Sequence, residues 1–333
     1  MDNKIRFGIA GCGNIARRHA AEAGKYGIVT AVCDSNIKKA ETLGSAYGGK
    51  PYATLDELLK AHPEIDVISI CTPNYLHTPQ AIQCLNHHKH VLCEKPMAIT
   101  VSDGRKMIEV AKRMNKRLFV VKQNRYNPPI ALLKQLLTEG RLGRLFSFQV
   151  NGFWNRNKAY YTDWRGKKAT DGGTLFTQFS HFIDLITWLF GSIVSVQSSL
   201  ANLNHPYIEF EDTGLVNFRM HSGAIGSFNY SVNSFHKNME GSVTAFCEKG
   251  TLKIGGQYLN ELEYFQVEGM EKPALPIGNG ANNYGFYQGS MSNHDKIYQH
   301  LVHALNDPGY PFLEAAEAIE TIEIIEKIYN NAL

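Results

Sequence analysis

The sequence predicts two domains: an amino-terminal, doubly wound parallel α/β sheet over residues 1–122, and a carboxyl-terminal α+β domain over residues 123–333. The chain has 333 residues, which exceeds the usual size of a single domain. Apolar strand-like runs alternate with helical stretches up to residue 121. Beyond residue 122 the strands become longer and follow one another through hairpin turns, which predicts a second kind of sheet.

The first domain contains five apolar runs that are predicted to form strands, at residues 5–10, 28–34, 66–72, 90–94 and 117–121. The helical stretches between them are predicted at residues 14–24, 37–47, 55–61, 77–88 and 102–115. Strands separated by helices of this length favour a parallel sheet with right-handed crossovers. Ligands of such sheets bind at the carboxyl ends of the strands.

The second domain is predicted to be a mostly antiparallel open sheet with helices covering one face. A helix at 128–139 precedes a glycine-punctuated turn and an alternating strand, and a final helix is predicted at 312–330. The segment 268–290, rich in Gly, Asn and Pro, is expected to be a long surface loop. Further strands are predicted at 193–201, 213–220, 223–231 and 241–254, with hairpin turns at 221–223 and 248–250.

The composition indicates an ordinary globular protein, with 44% hydrophobic and 20% charged residues. The net charge of +3, from scattered Lys and Arg, gives no reason to expect a nucleic-acid or membrane partner. The chain shows no signal peptide and no apolar run of membrane-spanning length, so we expect a cytoplasmic protein. Its six cysteines lack paired CxxC spacing, which predicts free buried thiols and no metal site.

A glycine motif follows the first predicted strand directly. Gly11 and Gly13, then Asn14, Ile15 and the small Ala16, lie where that strand turns into the first helix. The first glycine permits the tight turn, and the second lets a pyrophosphate approach the backbone. The helix amino end supplies N–H groups and a dipole that favour an anion. The motif therefore predicts a Rossmann fold that binds a dinucleotide.

Asp34 ends the second predicted strand, where a carboxylate would accept hydrogen bonds from both ribose hydroxyls of the cofactor. Its charge would repel the 2′-phosphate of NADP, and the following Ser35-Asn36-Ile37 supply no arginine to compensate. The sequence therefore favours NAD over NADP.

Two further segments follow predicted strands at the edge where a ligand would bind. Cys71-Thr72-Pro73-Asn74-Tyr75-Leu76-His77 follows the third of the five strands listed above, and Glu94-Lys95-Pro96 follows the next. In an arbitrary protein a Glu-Lys-Pro tripeptide would be a solvated loop. Here it closes a buried strand beside the position expected for the nicotinamide.

These segments, with AGCGNIARRH at the start and GGTLFTQFSHFIDL later, resemble the glucose–fructose oxidoreductase, inositol dehydrogenase and rhizopine catabolism (Gfo/Idh/MocA) family over nearly the whole chain. The resemblance implies that Lys95 is the active-site lysine, which contacts the reacting hydroxyl and the nicotinamide ribose. It implies that His181 exchanges the proton of the oxidised alcohol, a task suited to a histidine near neutral pH. Thr72, Pro73, Asn74, His77 and Glu94 would lie along the cofactor. Whether Lys95 acts as a base or as a cation that orients the hydroxyl stays open.

Thr177 departs from the family, in which many polyol dehydrogenases have an aspartate four residues before the histidine. A histidine–aspartate acid/base pair is therefore in doubt. Asp184, three residues after His181, shares its helical face, and orienting His181 is as good an explanation for it as helix packing.

The second domain supplies candidate substrate contacts that are aromatic, basic or polar. Aromatic faces stack on sugars or bases, and arginines pair with phosphate or carboxylate. For each aromatic residue, a role in the core or in an oligomer contact is an equally good explanation. The candidates, besides Lys95 and His181, are Arg125, Tyr126, Arg156, Trp164, Arg165, Thr177 and Gln178.

The segments 240–260 and 283–286 resemble the branch of the family that acts on nucleotide sugars. That branch oxidises the 3-hydroxyl of UDP-N-acetylglucosaminuronate (UDP-GlcNAcA) in polysaccharide biosynthesis, although Thr177 replaces its usual asparagine. The resemblance implies an NAD-dependent sugar dehydrogenase that forms a homodimer or homotetramer. The alternatives are a dehydrogenase of a free sugar or inositol, an NAD-dependent glycosidase, and a non-catalytic NAD-binding regulator.

Overall fold

The computed structural model describes residues 4–283, 285, 288–312 and 314–332. The chain divides into two compact units. The first unit comprises the residues up to Lys122 together with His294–Ile322, and the second comprises Gln123–Asn293 and the residues from Glu323 onward. Among the described residues, no helix combines the length and the apolar character needed to cross a bilayer.

The first unit contains a six-stranded parallel sheet with helices between its strands. Its strands are β1 Ile5–Ala10, β2 Gly27–Cys33, β3 Lys50–Tyr52, β4 Val67–Ile70, β5 His90–Cys93 and β6 Leu118–Val120. Its helices in this part of the chain are α1 Ala16–Tyr26, α2 Ile37–Tyr47, α3 Leu55–Ala61, α4 Asn74–Asn86 and α5 Val101–Arg113.

The strand order β3-β2-β1-β4-β5-β6 confirms the predicted doubly wound sheet. All four residues of β4 are buried, as are the last three of β5, because helices cover both faces of a parallel sheet. Strand β3 was not predicted, and its short Lys50-Pro51-Tyr52 run lies at the sheet edge, where Lys50 and Pro51 are exposed. The order reverses between β1 and β4, and the ends of these two strands are where sheets of this kind bind a ligand.

The second unit contains a seven-stranded sheet and a two-stranded hairpin. A 3-10 turn at Gln123–Tyr126 and α6 Pro128–Thr138 open it, and α7 Lys168–Asp171 leads to a π-helical turn at Leu175–Phe179 and then α8 Ser180–Phe190. Its strands are β7 Leu145–Phe153, β8 Ile193–Ala201, β9 Thr213–Met220, β10 Ile225–Ser231, β11 Glu240–Cys247, β12 Gly250–Gly255, β13 Glu261–Val267, β14 Ala281–Asn283 and β15 Gln288–Met291. Two helices complete the chain, α9 His294–Asn306 in the first unit and α10 Ala315–Asn330.

The large sheet has the order β13-β12-β11-β7-β10-β9-β8, and its neighbouring strands are antiparallel except for the parallel pair β10–β7. Residues along β9 alternate between buried and exposed, as a sheet with one covered face requires. Phe182 of α8 stacks on Phe228 of β10 at a ring-centroid distance of 5.6 Å, so helix α8 covers the inner face. The mostly antiparallel, open character of the predicted sheet is confirmed.

Three predicted boundaries in the second half of the chain differ from the structure. The run 241–254 is two strands joined at the predicted turn, and the following strand β13 was not predicted. The segment 268–290 contains the strand β14 and the start of β15 instead of being a loop throughout. The last helix begins at Ala315 instead of residue 312.

Glu211, in the loop before β9, is a buried acid that joins three parts of the second unit. Its Oε1 accepts hydrogen bonds from the Tyr230 hydroxyl at 3.0 Å and the Tyr329 hydroxyl at 2.9 Å. The Tyr329 hydroxyl in turn accepts the Leu175 N–H at 3.3 Å, at the start of the π-helical turn. A side chain at Gly173 would meet that hydroxyl, since its Cβ would lie 2.2 Å away.

Burial raises the pKa of Glu211 to about 7. Because the folded state holds this proton more tightly than the unfolded chain, ionisation of Glu211 costs stability as the pH rises from about 4.5 through 7. We therefore expect Glu211→Gln to melt progressively higher relative to the parent protein between pH 5 and pH 8. Thermal unfolding measured across that range checks this expectation, and a melting-temperature difference that stays constant with pH would contradict it.

Candidate functional site

The turn after β1 is shaped by Gly11. This residue has φ 87°, and a Cβ on it would lie 2.7 Å from Thr72 Cγ2 and 2.8 Å from the carbonyl carbon of Cys71. Only glycine combines this backbone conformation with so close an approach. Gly11 therefore brings the turn after β1 against the end of β4, at the point where the strand order reverses.

Gly13, unlike Gly11, has open space beside it, because a Cβ placed on it would have no atom within 4 Å. Helix α1 begins at Ala16, and Ile15 at its amino end makes no side-chain capping hydrogen bond. Open space beside Gly13 and a helix amino end without a side-chain cap are what a pyrophosphate bound to backbone N–H groups would require. We propose that Gly11, Gly13, Asn14 and Ile15 hold the diphosphate of NAD.

Asp34, directly after β2, is held beside the glycine turn by two backbone hydrogen bonds. Its Oδ2 accepts the Cys12 N–H at 2.8 Å and its Oδ1 accepts the Asn36 N–H at 2.8 Å. These bonds fix the carboxylate where β2 ends, and each oxygen has a further lone pair for a ligand hydroxyl. The geometry is compatible with the predicted ribose contact.

We expect Asp34→Ala to weaken NAD binding by about 10–100-fold, the usual worth of a charge-assisted hydrogen bond. The same change removes a negative charge that would repel a 2′-phosphate, so the ratio of NADP to NAD affinity should rise. Titration of both cofactors measures the effect. Asp34→Asn is the matched control: it keeps a side-chain oxygen but no charge, so it should relax the discrimination while losing less NAD affinity than Asp34→Ala. An unchanged affinity ratio in both variants would exclude Asp34 from the ribose site.

The two predicted segments that follow β4 and β5 are joined by His77. Its Nδ1 lies 2.7 Å from the Pro96 carbonyl oxygen and its Nε2 lies 2.9 Å from the Thr72 carbonyl oxygen. The Thr72 hydroxyl donates to Gln80 Oε1 at 2.7 Å, and the buried Asn74 begins α4 after Pro73. The turn containing Lys95, which precedes a cis proline, is therefore fixed to the turn containing Thr72.

Glu94 is buried beneath this turn. Its Oε1 lies 3.0 Å from His19 Nε2 and 3.1 Å from His294 Nε2, and its Oε2 accepts the Lys95 N–H at 3.1 Å. Burial alone would raise the pKa of Glu94, but the hydrogen bonds from the two imidazoles hold this pKa well below its usual range. Glu94 is therefore a carboxylate whose contacts support the backbone of Lys95.

The ionised Glu94 determines where the protons of this network lie. A carboxylate only accepts, so Nε2 of His19 carries its proton. Burial lowers the pKa of His19, so the ring is neutral and its Nδ1 accepts the Tyr298 hydroxyl at 3.0 Å. The Ser69 hydroxyl then donates to the Tyr298 oxygen at 2.8 Å.

The side-chain ligand atoms of His19, Glu94 and His294 lie within 4.8 Å of one another, a spacing that would also accommodate a metal ion. The hydrogen bonds, however, already satisfy the carboxylate.

Four of the predicted substrate residues come together in the second unit. Arg156 donates from Nε to Gln178 Oε1 at 2.7 Å, and the Gln178 amide donates to the Tyr160 hydroxyl at 2.5 Å. The Arg165 guanidinium lies over the Tyr160 ring at 4.9 Å and over the Trp164 ring at 4.8 Å. Arg156 is only 2% exposed, whereas Arg165 and Trp164 are partly exposed.

Arg125 belongs to a different cluster. Its Nε donates to Asp184 Oδ2 at 2.9 Å and its Nη2 donates to Asp184 Oδ1 at 2.7 Å, while the guanidinium lies 5.0 Å from the Trp188 ring centroid. Arg125 and Asp184 are both buried, so they form an internal ion pair. The pair gives Asp184 a partner 59 residues away in the chain. Tyr126 follows in the same 3-10 turn and is partly buried.

His181 and Thr177 have partners that sequence analysis did not predict. The Gln123 amide nitrogen lies 3.3 Å from His181 Nε2 and donates to the Ser290 hydroxyl at 3.1 Å. The Thr177 hydroxyl donates to Oδ1 of Asp171. Gln123 comes shortly after β6, and this position at a strand end could have identified it as a candidate site residue. The position of Asp171 before Gly172-Gly173 gave no indication of this contact.

Comparison with known proteins agrees with this geometry. Residues 5–122 match the profile of the oxidoreductase family with an NAD-binding Rossmann fold, GFO/IDH/MocA, and residues 130–253 match the GFO/IDH/MocA carboxyl-terminal domain. The chain belongs to this family, and the predicted NAD-binding domain is confirmed.

Three relatives indicate the kinds of ligand that similar proteins bind. The WlbA dehydrogenase of Bordetella pertussis, solved with NADH and UDP-GlcNAcA, is 34% identical over 99% of this chain and 97% of that chain, with a TM-score of 0.88. The WlbA dehydrogenase of Chromobacterium violaceum, solved with the same two ligands, is also 34% identical, over 100% of this chain and 94% of that chain, with a TM-score of 0.89. Glucose-6-phosphate 3-dehydrogenase of Bacillus subtilis is 35% identical over 205 residues, or 60% of this chain and 57% of that enzyme's length.

Proposed function

We propose that the protein is an NAD-dependent dehydrogenase that oxidises the C3 hydroxyl of a nucleotide sugar, UDP-GlcNAcA or a close analogue, in polysaccharide biosynthesis. The observation that carries this proposal is the 34% identity with the Bordetella pertussis WlbA dehydrogenase along 97% of that chain, whose crystal contains NADH and UDP-GlcNAcA. The space beside Gly13 and the position of Asp34 support NAD as the cofactor.

Lys95 and His181 are the residues proposed to act on the sugar hydroxyl. NAD, when bound, accepts the hydride that leaves the carbon. The hydroxyl proton must leave at the same time, and a neutral histidine nitrogen is a suitable acceptor. Glu94 and His77 fix the turn that contains Lys95, so the ammonium group can orient the hydroxyl from a defined backbone position.

Arg165 is better placed than Arg156 to pair with the charged groups of such a substrate. The Arg156 guanidinium is buried and donates to Gln178 and, at 3.1 Å, to Asn238 Oδ1. Arg165 is partly exposed and lies over the Tyr160 ring, and a guanidinium stacked in this way can pair through its edge with a phosphate or a carboxylate. We therefore assign substrate charge recognition to Arg165 and a supporting role to Arg156.

A sugar phosphate is the second candidate substrate. The Bacillus subtilis relative that favours it is named for oxidation at C3 of glucose 6-phosphate, and the match spans 57% of that enzyme. Both candidates carry a secondary hydroxyl at C3 and an anionic group elsewhere on the molecule, so they call for the same type of site.

A substrate comparison tests the proposal. Purified protein is assayed for NAD reduction with UDP-GlcNAcA, with UDP-GlcNAc as the matched sugar lacking the carboxylate, and with glucose 6-phosphate, inositols and free hexoses. A C3 ketone formed from UDP-GlcNAcA with the highest kcat/KM supports the proposal, and preference for glucose 6-phosphate replaces it with the second candidate. Turnover confined to inositols or free hexoses indicates the free-sugar alternative. Release of an aglycone without net NADH indicates a glycosidase, and binding without turnover that survives Lys95→Met indicates a regulator.

The proposal includes a cytoplasmic location. All six cysteines are free and buried, which suits a reducing compartment. Cytosolic and secreted localisation of a tagged protein are distinguished by cell fractionation.

We also propose that the protein forms a homodimer or homotetramer through the open face of the large sheet. That face exposes apolar side chains, among them Leu215 at 54% and Ile225 at 53% exposure. A charge placed there should separate the subunits, because it would be desolvated in the interface. Light scattering should give a multiple of the 37.3 kDa chain mass, which Leu215→Glu with Ile225→Glu should reduce and the exposed Tyr47→Glu should not. A monomeric parent protein would contradict this.

A further inference from the structure

A cavity opens at the amino ends of strands β4, β5 and β6, the edge of the first sheet opposite the one that carries the candidate NAD residues. Its volume is about 400 Å³, and its lining residues all belong to the first unit. Cavities of roughly 300–1,000 Å³ are of the size that holds a small-molecule ligand. The lining includes two carboxylates, three imidazoles and two ammonium groups. No residue proposed for NAD or for the sugar lines it, so the cavity belongs to neither site.

Helices α4 and α5, which lead into β5 and β6, end in the same backbone motif. His88 after α4 and Asn115 after α5 have φ values of 58° and 52°, in the left-handed region that glycine usually occupies. In both motifs the N–H of this residue and the N–H of the following lysine donate to carbonyl oxygens of the last helical turn. The motif therefore places Lys89 and Lys116 at equivalent points directly after the two helix ends. Since backbone N–H groups already satisfy those carbonyl oxygens, the ammonium groups are not needed as caps.

The two lysines lie side by side. Strands β5 and β6 are parallel and pair Val91 with Leu118, so Lys89 and Lys116 each stand two residues before a paired position. Neighbouring strands are about 4.8 Å apart, and like charges at adjacent positions destabilise a sheet. Both lysines line the cavity. An anion that enters the cavity would relieve this repulsion.

Lys89 is a buried cation that has no acidic partner. It is only 5% exposed, and its ammonium group donates to the Pro63 carbonyl oxygen, which is a neutral group. Burial lowers the pKa of Lys89, and the charge of Lys116 adds to this effect. In the part of the chain that the structure describes, neither lysine forms an ion pair. A buried charge of this kind is costly until a counter-ion reaches it.

The two carboxylates of the lining are bonded to other groups. Asp66 Oδ2 accepts the Arg6 N–H at 2.8 Å, and Glu64 Oε1 lies 2.9 Å from His62 Nδ1. Their charges act against the lowering of the Lys89 pKa by burial, but they do not pair with its ammonium group. The ammonium groups therefore keep hydrogens that a ligand can accept.

The imidazoles of the lining add further donors. Burial lowers the pKa of His90 to about 4, with Lys116 and Arg117 adding to the shift, so this ring is neutral at pH 7. Its Nδ1 accepts the Arg117 N–H at 3.0 Å, which leaves the proton on Nε2. His88 keeps a side chain at a backbone position where glycine would cost less, and this residue lines the cavity.

We propose that this cavity binds a small anion, whose phosphate or carboxylate group is held by the ammonium groups of Lys89 and Lys116, with the imidazoles of His88 and His90 as further donors. An ammonium group is a compact charge that pairs with either kind of oxyanion. The volume of about 400 Å³ leaves room for an organic body beside the charged group, so the ligand is a metabolite-sized acid or phosphate ester. The site does not depend on the proposed function.

Inorganic phosphate and citrate are the probes for the two kinds of oxyanion. The melting temperature of the full chain is followed as each is added, with saturating NAD and with chloride controls at equal ionic strength. We expect saturable stabilisation of the parent protein by at least one probe. Lys116→Met should weaken binding of that probe about 10–100-fold, the usual worth of a charge-assisted hydrogen bond, and the exposed Lys106→Met should not. No saturable stabilisation by either probe would overturn the proposal.

His88 and Asn115 allow a matched pair of glycine substitutions. Both residues hold a left-handed conformation, so His88→Gly and Asn115→Gly should each raise the melting temperature in the absence of an anion. Only His88 lines the cavity, so only His88→Gly should also lose affinity for the anion. Equal affinities of the two variants would contradict the proposal.

A purely structural role of the lysines predicts a different result. If they only complement the helix ends, Lys116→Met lowers the melting temperature without an anion and leaves the effect of the anion unchanged, which refutes the proposal. At an anion site, Lys116→Met keeps or raises the melting temperature without an anion and loses the response to it. Lys89→Met would remove the donor to the Pro63 carbonyl oxygen, so Lys116→Met decides the question.

Discussion

We expect Lys95→Met to lower kcat for sugar oxidation by about 10³-fold, while NAD affinity falls by only about tenfold, the worth of one lost contact to the nicotinamide ribose. Methionine keeps most of the length of the side chain but removes the ammonium group that would orient the hydroxyl. The backbone of this turn is fixed by Glu94 and His77, so the substitution should leave the turn in place. Steady-state kinetics and fluorescence titration of NADH measure the two quantities.

Two further variants distinguish the possible roles of Lys95 and control for the loss of a lysine. Lys95→Arg keeps a cation that cannot lose its proton, so partial activity would indicate that Lys95 orients the hydroxyl, and inactivity equal to that of Lys95→Met would indicate a base. Lys106→Met, on the exposed face of α5, is the matched control and should behave as the parent protein. Unimpaired turnover by Lys95→Met would remove Lys95 from the reaction.

The second large effect is expected in stability. Arg125→Met should destabilise the protein by about 3–5 kcal/mol, because it leaves the Asp184 carboxylate buried without its partner. Each kcal/mol corresponds to about 2–4 °C in melting temperature for a domain of this size. Thermal unfolding of the variant, beside the exposed Arg219→Met as the matched control, measures the difference.

The double variant Arg125→Met with Asp184→Leu separates the cost of leaving a buried charge unpaired from the contribution of the ion pair itself. Replacing both charges by apolar side chains removes the unpaired carboxylate, so most of the lost stability should return. A double variant as unstable as the sum of the two single variants would show that the ion pair contributes no coupling. In that case the Arg125 side chain would matter through its packing on Trp188.

The cofactor and its candidate site could be proposed from the sequence because the signals for them are local. Gly11, Gly13 and Asp34 are identified by their order after β1 and β2, and the backbone of a parallel sheet then fixes where they lie. Lys95 and His77 were identified through segments at strand ends. The structure added that His77 joins these two segments, which no spacing in the sequence indicates.

The partners of the second unit could not be predicted, since they are set by packing between residues distant in the chain. The pairing of Asp184 with Arg125, 59 residues away, is not indicated by any spacing in the sequence. Arginine is a residue type that commonly binds phosphate, but Arg156 is only 2% exposed and its guanidinium donates to Gln178. Short strands such as β3 and β14 escaped prediction because three residues carry too little periodicity.

The sequence by itself determined the fold class, the cofactor and the family, because each depends on residue types at fixed short spacings. Only the tertiary structure decided which carboxylate serves which partner. Hydrogen bonds form between whichever groups folding brings within about 3 Å, and that proximity is set by the packing of whole elements. The hydrogen bond of Thr177 to Asp171 is one example.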